Sequence, residues 1–454
     1  FERIRKGMGV PESFPPEVEK EAAGVARRKF PTGPERADRR EIELLSIDPP
    51  GSMDLDQAYA ASRLDSGYRV FYAIADVGHF VDPGSALEAE SMKRGSTLYT
   101  PDRRIPLYPP VLSEGAASLL PEQDRPAVLW TFEVGAGGLV AEVTVERALV
   151  HSRRRLTYRE AQEEIDSPGT CESLQVLKEV GLLRQKVERD RGGVDLKLPD
   201  QQVEHTPAGF EVVYRSDVPV ERWNAQMSLM TGMAAADLMI KRGSGLLRTL
   251  PAPSDETVDS LRASAAALGL EWPESMRYQE FIRSLDSTKP KQAAMLSAAK
   301  VLFRGAGYAF FDGEPPEQPN HYAVAAPYAH VTAPLRRMAD RLCNELLLGN
   351  GSPPQTLLDR LAEAPEALKA ADKRSRELDS RLVDFVEAQM LCERMGEVFS
   401  GVVVQTGAKG AMVQIGSPAV LARSKGSSYS LGDRVSVKLA AADPLEGYVE
   451  FEPA

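Results

Sequence analysis

The sequence predicts an α+β fold: a mixed sheet surrounded by helices, followed by a small all-β barrel of the OB type. Three observations predict it. Strand-like apolar runs dominate to about residue 155, the apolar period then lengthens towards 3.6, and past Gly396 short alternating strands return between Gly, Ser and Pro.

Residues 1–42 combine Pro11, Pro15, Pro16, Pro31 and Pro34 with basic patches at 27–29 and 39–40, and predict a lead-in arm with one short helix packed against the main domain. Strands are predicted at 42–47, 68–75 and 128–132, and over 139–150, where apolar and polar residues mostly alternate. Trp223, Met227, Met230, Ala234 and Leu238 then fall on one face of a long helix, and their simplest role is core. Residues 354–394 predict a second long helix, with Leu378, Leu382, Phe385 and Val386 on one side and alternating charges elsewhere, a solvated connector. Runs at 399–404, 410–415, 419–422 and 434–439 supply the barrel strands. The expected division is an arm at 1–42, a main domain at 43–396 and the barrel at 397–454.

The chain has 454 residues, 43% of them hydrophobic and 27% charged, which excludes a disordered or fibrous protein. No run approaches the ~20 apolar residues of a spanning helix, so no membrane partner is expected. Cys171, Cys343 and Cys392 form no C-x-x-C pair, which argues against a disulfide framework or zinc knuckle and fits a reducing cytoplasm. The net charge of −11 weighs against a general nucleic-acid coat protein, so local charge must decide. Nothing demands a dimer, and a monomer is expected.

The densest chemical signal is Asp48-Pro49-Pro50-Gly51-Ser52-Met53-Asp54-Leu55-Asp56-Gln57. Asp54 and Asp56 project to one side if extended, and the Pro-Pro-Gly turn can fold Asp48 onto them. Like charges so close oppose one another unless a cation sits between them, and hard oxygen donors suit Mg²⁺ or Mn²⁺. The bland alternative is a solvated acidic turn. A second constellation is His330-Val331-Thr332-Ala333-Pro334-Leu335-Arg336-Arg337, where Thr332 and Pro334 predict a helix start that sets both arginines by an anion-binding end. The alternative there is an Arg336–Asp340 surface pair at i, i+4.

Tyr99 before Arg103-Arg104, and Tyr158 after Arg153-Arg154-Arg155, pair an aromatic face with positive charge, as a single-strand groove would; packing is the alternative. The five histidines show no metal-ligand spacing, and no G-x-S-x-G or G-x-x-x-x-G-K motif occurs.

Asp48-x5-Asp54-Leu55-Asp56-x-Ala58, Ala73-Ile74-Ala75-Asp76-Val77, Leu98-Tyr99-x4-Ile105-Pro106-Leu107 and the 330–337 run, in this order, resemble the RNB-type catalytic domain of the ribonuclease II/R family. The tail is similar to that family's S1-like RNA-binding OB-fold. The resemblance implies a processive hydrolytic exoribonuclease that threads single-stranded RNA 3′ to 5′ through a channel and releases nucleoside 5′-monophosphates. It also implies divalent metal on Asp48, Asp54 and Asp56, with Asp56 catalytic, and a scissile-phosphate contact at Arg336. RNA contacts are implied at Tyr99 and Tyr158, and expected at Thr332 and Arg337.

The departures are Gln57 in place of a fourth aspartate, Leu196 where a base-clamping Phe is common, and Asn224-Ala225 in place of Glu-Glu. Gln57 remains an expected weak ligand, and Leu196 and Asn224 expected RNA contacts. Because of Gln57, an RNA-binding protein impaired in catalysis is the main alternative; a metal-dependent phosphatase is a third reading that leaves the barrel unexplained.

Overall fold

The computed structural model describes all residues except 197–199, 208, 216, 350, 408–409, 417 and 427–428. The fold is α+β, as the sequence predicts. The lead-in carries two helices, Glu2–Gly7 and Pro16–Val25, where composition predicts one.

The main sheet has six strands: β1 (Ala37–Asp38), β2 (Leu44–Ile47), β3 (Gln57–Leu64), β4 (Gly67–Ala75), and the two longest, Asp124–Gly135 and Val140–Leu156. Strands β2, β3, β4 and Asp124–Gly135 follow one another antiparallel. Val140–Leu156 is long enough to pair antiparallel with Asp124–Gly135 over its first part and parallel with β2 over its last, so the sheet turns back on itself. Trp130 and Phe132 stack with 8° between their ring planes inside it, and both are fully buried.

The helix Pro219–Arg242 carries the predicted Trp223–Met227–Met230–Ala234 stripe and buries Ala235, Ala236 and Met239 as well, because it runs through the interior. It lies so close to the helix Glu172–Arg191 that a Cβ on Gly181 would fall 2.4 Å from the Cβ of Trp223. A separate apolar cluster holds Leu261, Phe281, Ile282 and Met295, with Leu196 packed at its edge.

The helix Gln355–Leu391 spans 37 residues and is more than a solvated connector. Leu361, Ala364 and Leu368 join the main core, and Ala388 and Leu391 join the barrel core, so this one helix packs into both. The barrel itself closes with five strands, the last being Tyr448–Pro453. Among the described residues no helix is long and apolar enough to cross a membrane.

Candidate active site

The Asp48–Gln57 loop joins β2 to β3. The Asp48 N–H donates to the Leu156 carbonyl at 3.0 Å, extending the strand pairing by one residue. The loop then turns at Pro49-Pro50-Gly51, where the Ser52 N–H reaches the Pro49 carbonyl and Gly51 takes φ +76°, a conformation that favours glycine. Beyond the turn one hydroxyl fixes the chain: Ser118 Oγ accepts from the Leu55 N–H at 2.9 Å and donates to the Met53 carbonyl at 2.6 Å. Leu55 is thereby driven fully into the core. In extended backbone its neighbours Asp54 and Asp56 face the other way, into a cavity of about 330 Å³.

That cavity is lined by Asp48, Pro49, Pro50, Gly51, Ser52, Asp54, Asp56, Gln57, Tyr99, Arg104 and Arg336. The structure therefore brings the four expected metal ligands, the expected phosphate contact and one aromatic to one place. Asp56 is nearly inaccessible; its Oδ1 accepts from the Leu335 N–H at 2.7 Å, and its Oδ2 lies 3.3 Å from Arg336 Nε. Asp54 is held by Arg104 and lies 3.4 Å from the Tyr99 hydroxyl. Burial, opposed by Arg336, pushes the Asp56 carboxyl up to about 8 and the Asp48 carboxyl up to about 6.

The 330–337 run differs from the sequence expectation. The helix begins at Met338, with Arg337 as its N-cap residue, five positions later than the expected cap Thr332. The cause is Asp340, fully buried, whose Oδ1 accepts from the Ala333 N–H at 2.7 Å and which takes both Arg337 nitrogens, at 2.8 and 2.9 Å. Residues 333–336 form a separate turn that presents the Leu335 amide and Arg336 to Asp56. The pair with Asp340 is therefore made by Arg337, not Arg336, and Arg337 does not line the cavity. Thr332 is buried as well, and its carbonyl accepts from Gln57 Nε2 at 2.5 Å. Both residues fasten the turn.

Tyr158 and Asn224 do not line the cavity. Tyr158 opens the helix Tyr158–Asp166, capped by Thr157 and Glu160 in a reciprocal box. Its hydroxyl is within reach of the Asn224 amide and feels the Asp48 charge, while burial raises its pKa. Leu196 is not brought to the site. Arg104 is the residue to which the sequence assigned no individual role; its signal was the Pro101-Asp102 turn, which folds Arg104 back opposite Tyr99.

The donor set fits a hard divalent cation in its chemistry: three carboxylates and the side-chain amide oxygen Oε1 of Gln57, two of the carboxylates pushed towards protonation by burial. As placed, the carboxylates are drawn apart to arginines, and among the described residues no three His, Cys, Asp or Glu side chains converge on a common point.

An RNB domain model matches residues 36–349, more than half of the chain. The chain belongs to the RNB family. A model of the RNase II-type exonuclease C-terminal S1 domain matches residues 397–454, the five-stranded barrel. Ribonuclease R of Escherichia coli is 26% identical over 97% of this chain and 60% of its own length, so this RNB chain spans well under two thirds of that relative. Among solved structures, Mycoplasma genitalium RNase R in complex with ribose methylated single-stranded RNA superposes with a TM-score of 0.90 at 19% identity, covering 100% of this chain and 77% of that one. Yeast Ssd1, a pseudonuclease, superposes with a TM-score of 0.69 at 14% identity, over 92% and 57%. The RNB fold thus occurs with and without nuclease activity, and the side chains in the cavity have to decide between them.

Proposed function

We propose that this RNB protein is a processive 3′-to-5′ hydrolytic exoribonuclease that takes single-stranded RNA and releases nucleoside 5′-monophosphates. The observation that carries the reading is the meeting of Asp48, Asp54, Asp56, Tyr99 and Arg336 around one cavity. A pseudonuclease has no need to keep three carboxylates facing a guanidinium.

Asp48, Asp54, Asp56 and the Gln57 side-chain oxygen Oε1 would hold the divalent metal, Mg²⁺ or Mn²⁺, once Arg104 and Arg336 turn from the carboxylates towards phosphate. The metal supplies Lewis-acid charge to the scissile phosphate. Arg336 offers the phosphate oxygens a second cationic partner suited to bidentate contact. The Asp56 carboxylate is buried beside the reacting phosphate and holds the charge that fixes the centre. Tyr99 stacks on a base near the 3′ end, and Tyr158 with Asn224 contacts the next part of the chain. Arg337 and Thr332, which the sequence suggested as RNA contacts, support the turn instead. The unit 43–396 acts as the catalytic body, 397–454 as an RNA grip and 1–42 as a lead-in, in a cytoplasmic monomer.

Single-stranded RNA labelled at either end and incubated with Mg²⁺ or Mn²⁺, with and without chelator, tests this. The 3′ label is expected to appear at once as mononucleotide, and the 5′ label to end in a short residual oligomer. Cleavage of circular RNA, or release of bare phosphate, would overturn it.

A further inference from the structure

We propose that Arg5, on the N-terminal helix Glu2–Gly7, is a positioning residue that fixes Tyr99 and Arg104 in the cavity by gripping the turn between them. The inference rests on reading the cavity as the RNA-cleaving site. Tyr99 and Arg104 face each other across a hairpin of two-residue strands, Leu98–Tyr99 and Arg104–Ile105. A hairpin that short does not hold itself together in water and needs outside ties. Beyond the two residue pairs of its ladder, its own closure is local to Thr100, whose N–H and hydroxyl both donate to the Arg103 carbonyl, at 3.0 and 2.7 Å. Yet its two side chains both reach Asp54, so any slack in the hairpin moves the contents of the cavity.

Arg5 supplies the tie. It is 1% exposed, and its Nη1 lies 2.7 Å from Asp102 Oδ1 and 3.4 Å from Thr100 Oγ1, both on the hairpin turn. Its Nε donates to Glu12 at 2.8 Å, and the other Glu12 oxygen takes Arg103 at 3.0 Å. The turn is thus gripped at 100, 102 and 103 from one side. Beneath it Leu98 and Ile105 pack with Val10, Leu378 and Leu382, and with Ile4 and Met8 at the edge, so the helix also seats the strands. A rigid guanidinium fork fixes direction as well as distance, which a point charge does not. Among the described residues every side-chain partner of Arg5 lies at Glu12 or on the hairpin turn, so its loss acts on the hairpin and leaves the main sheet alone.

The test is hydrogen exchange of residues 96–105 in the intact chain, without RNA, for wild type, Arg5→Ala and the milder Asp102→Asn. Faster exchange confined to this segment is expected in both variants, with the main sheet and barrel unchanged. In the RNA assay, kcat should fall by up to ~10²-fold while KM for a long oligonucleotide moves little, the mark of misplaced reacting groups. Added to Tyr99→Ala, Arg5→Ala should cost clearly less than it does alone, because part of its effect runs through Tyr99 and the rest through Arg104. Unchanged exchange at 96–105, or fully additive losses, would overturn the proposal. If wild-type protein leaves RNA intact, the proposed function fails, and the exchange result still decides whether Arg5 holds the hairpin.

Discussion

Asp56 governs the electrostatics of the cavity, because it is buried against Arg336 with a second carboxylate, Asp54, on the same side of the strand. Its carboxyl is pushed up to about 8 by burial, well above the ~3.9 of an exposed aspartate. Between those values the folded chain, freed of metal, holds a proton that the unfolded chain has released. That linkage stabilises the fold fully below about pH 4 and is lost as pH rises through about 8. Chelated protein is therefore expected to melt at progressively lower temperature from about pH 5 to pH 8.5, and Asp56→Asn to flatten that slope; an equal slope in the variant would contradict this. Asp48, pushed up to about 6, adds a smaller loss at lower pH. For Arg336→Ala the expected result is a rate reduced by ~10²-fold or more with a modest change in RNA affinity, read from single-turnover kinetics and binding. Equal losses in both would make Arg336 a binding residue only. These two residues were legible from the sequence. The partner of Arg337 was not, because i, i+3 and i, i+4 spacings to Asp340 are equally compatible with a helix, and only the buried position of Asp340 selects between them.

Two irregular segments, 48–56 and 333–336, do the positioning, and a buried polar side chain bonds the backbone of each, Ser118 in one case and Asp340, with Asp56, in the other. The chain leading into the second segment, at Tyr328 and Ala329, is braced by the helix Pro219–Arg242. The Ala329 N–H donates to the Gly232 carbonyl at 3.0 Å, and a Cβ on Gly232 would fall 2.1 Å from the Tyr328 ring and 2.6 Å from the Ala329 oxygen. Gly232→Ala is expected to destabilise by ~1–3 kcal/mol through overpacking, visible as a lower melting temperature, although alanine favours helix. A variant as stable as wild type would show that this contact can relax. At this scale the β-branched and aromatic strands were read correctly, β4 above all. Strand β3 was not, since Gln-Ala-Tyr-Ala-Ala-Ser-Arg-Leu is poor in strand-forming residues and is recruited by β2 and β4 on either side. The helix at 332 was misread for a related reason: local capping chemistry lost to a tertiary contact.

Over the whole molecule the charge of −11 conceals an uneven distribution. Of the arginines that the sequence sets beside Tyr99, beside Tyr158 and in the 330–337 run, Arg104 and Arg336 line the cavity, and Arg155 donates to the Ser52 carbonyl in its wall. Arg103 and Arg154 are held in outward ion pairs, and Arg153 reaches the Arg40 carbonyl. The positive charge at the cavity is therefore centred on the carboxylates. The long helix Gln355–Leu391 packs into both the main core and the barrel core, and so joins the two units that the proposed activity would use together. The most direct test of this account is a time course of 5′-labelled single-stranded RNA with Mg²⁺, comparing wild type with Asp56→Asn and following binding in parallel. The account predicts stepwise shortening from the 3′ end by wild type, and full-length RNA that stays bound to Asp56→Asn. Near-wild-type turnover by the variant, or internal cuts by either protein, would contradict it.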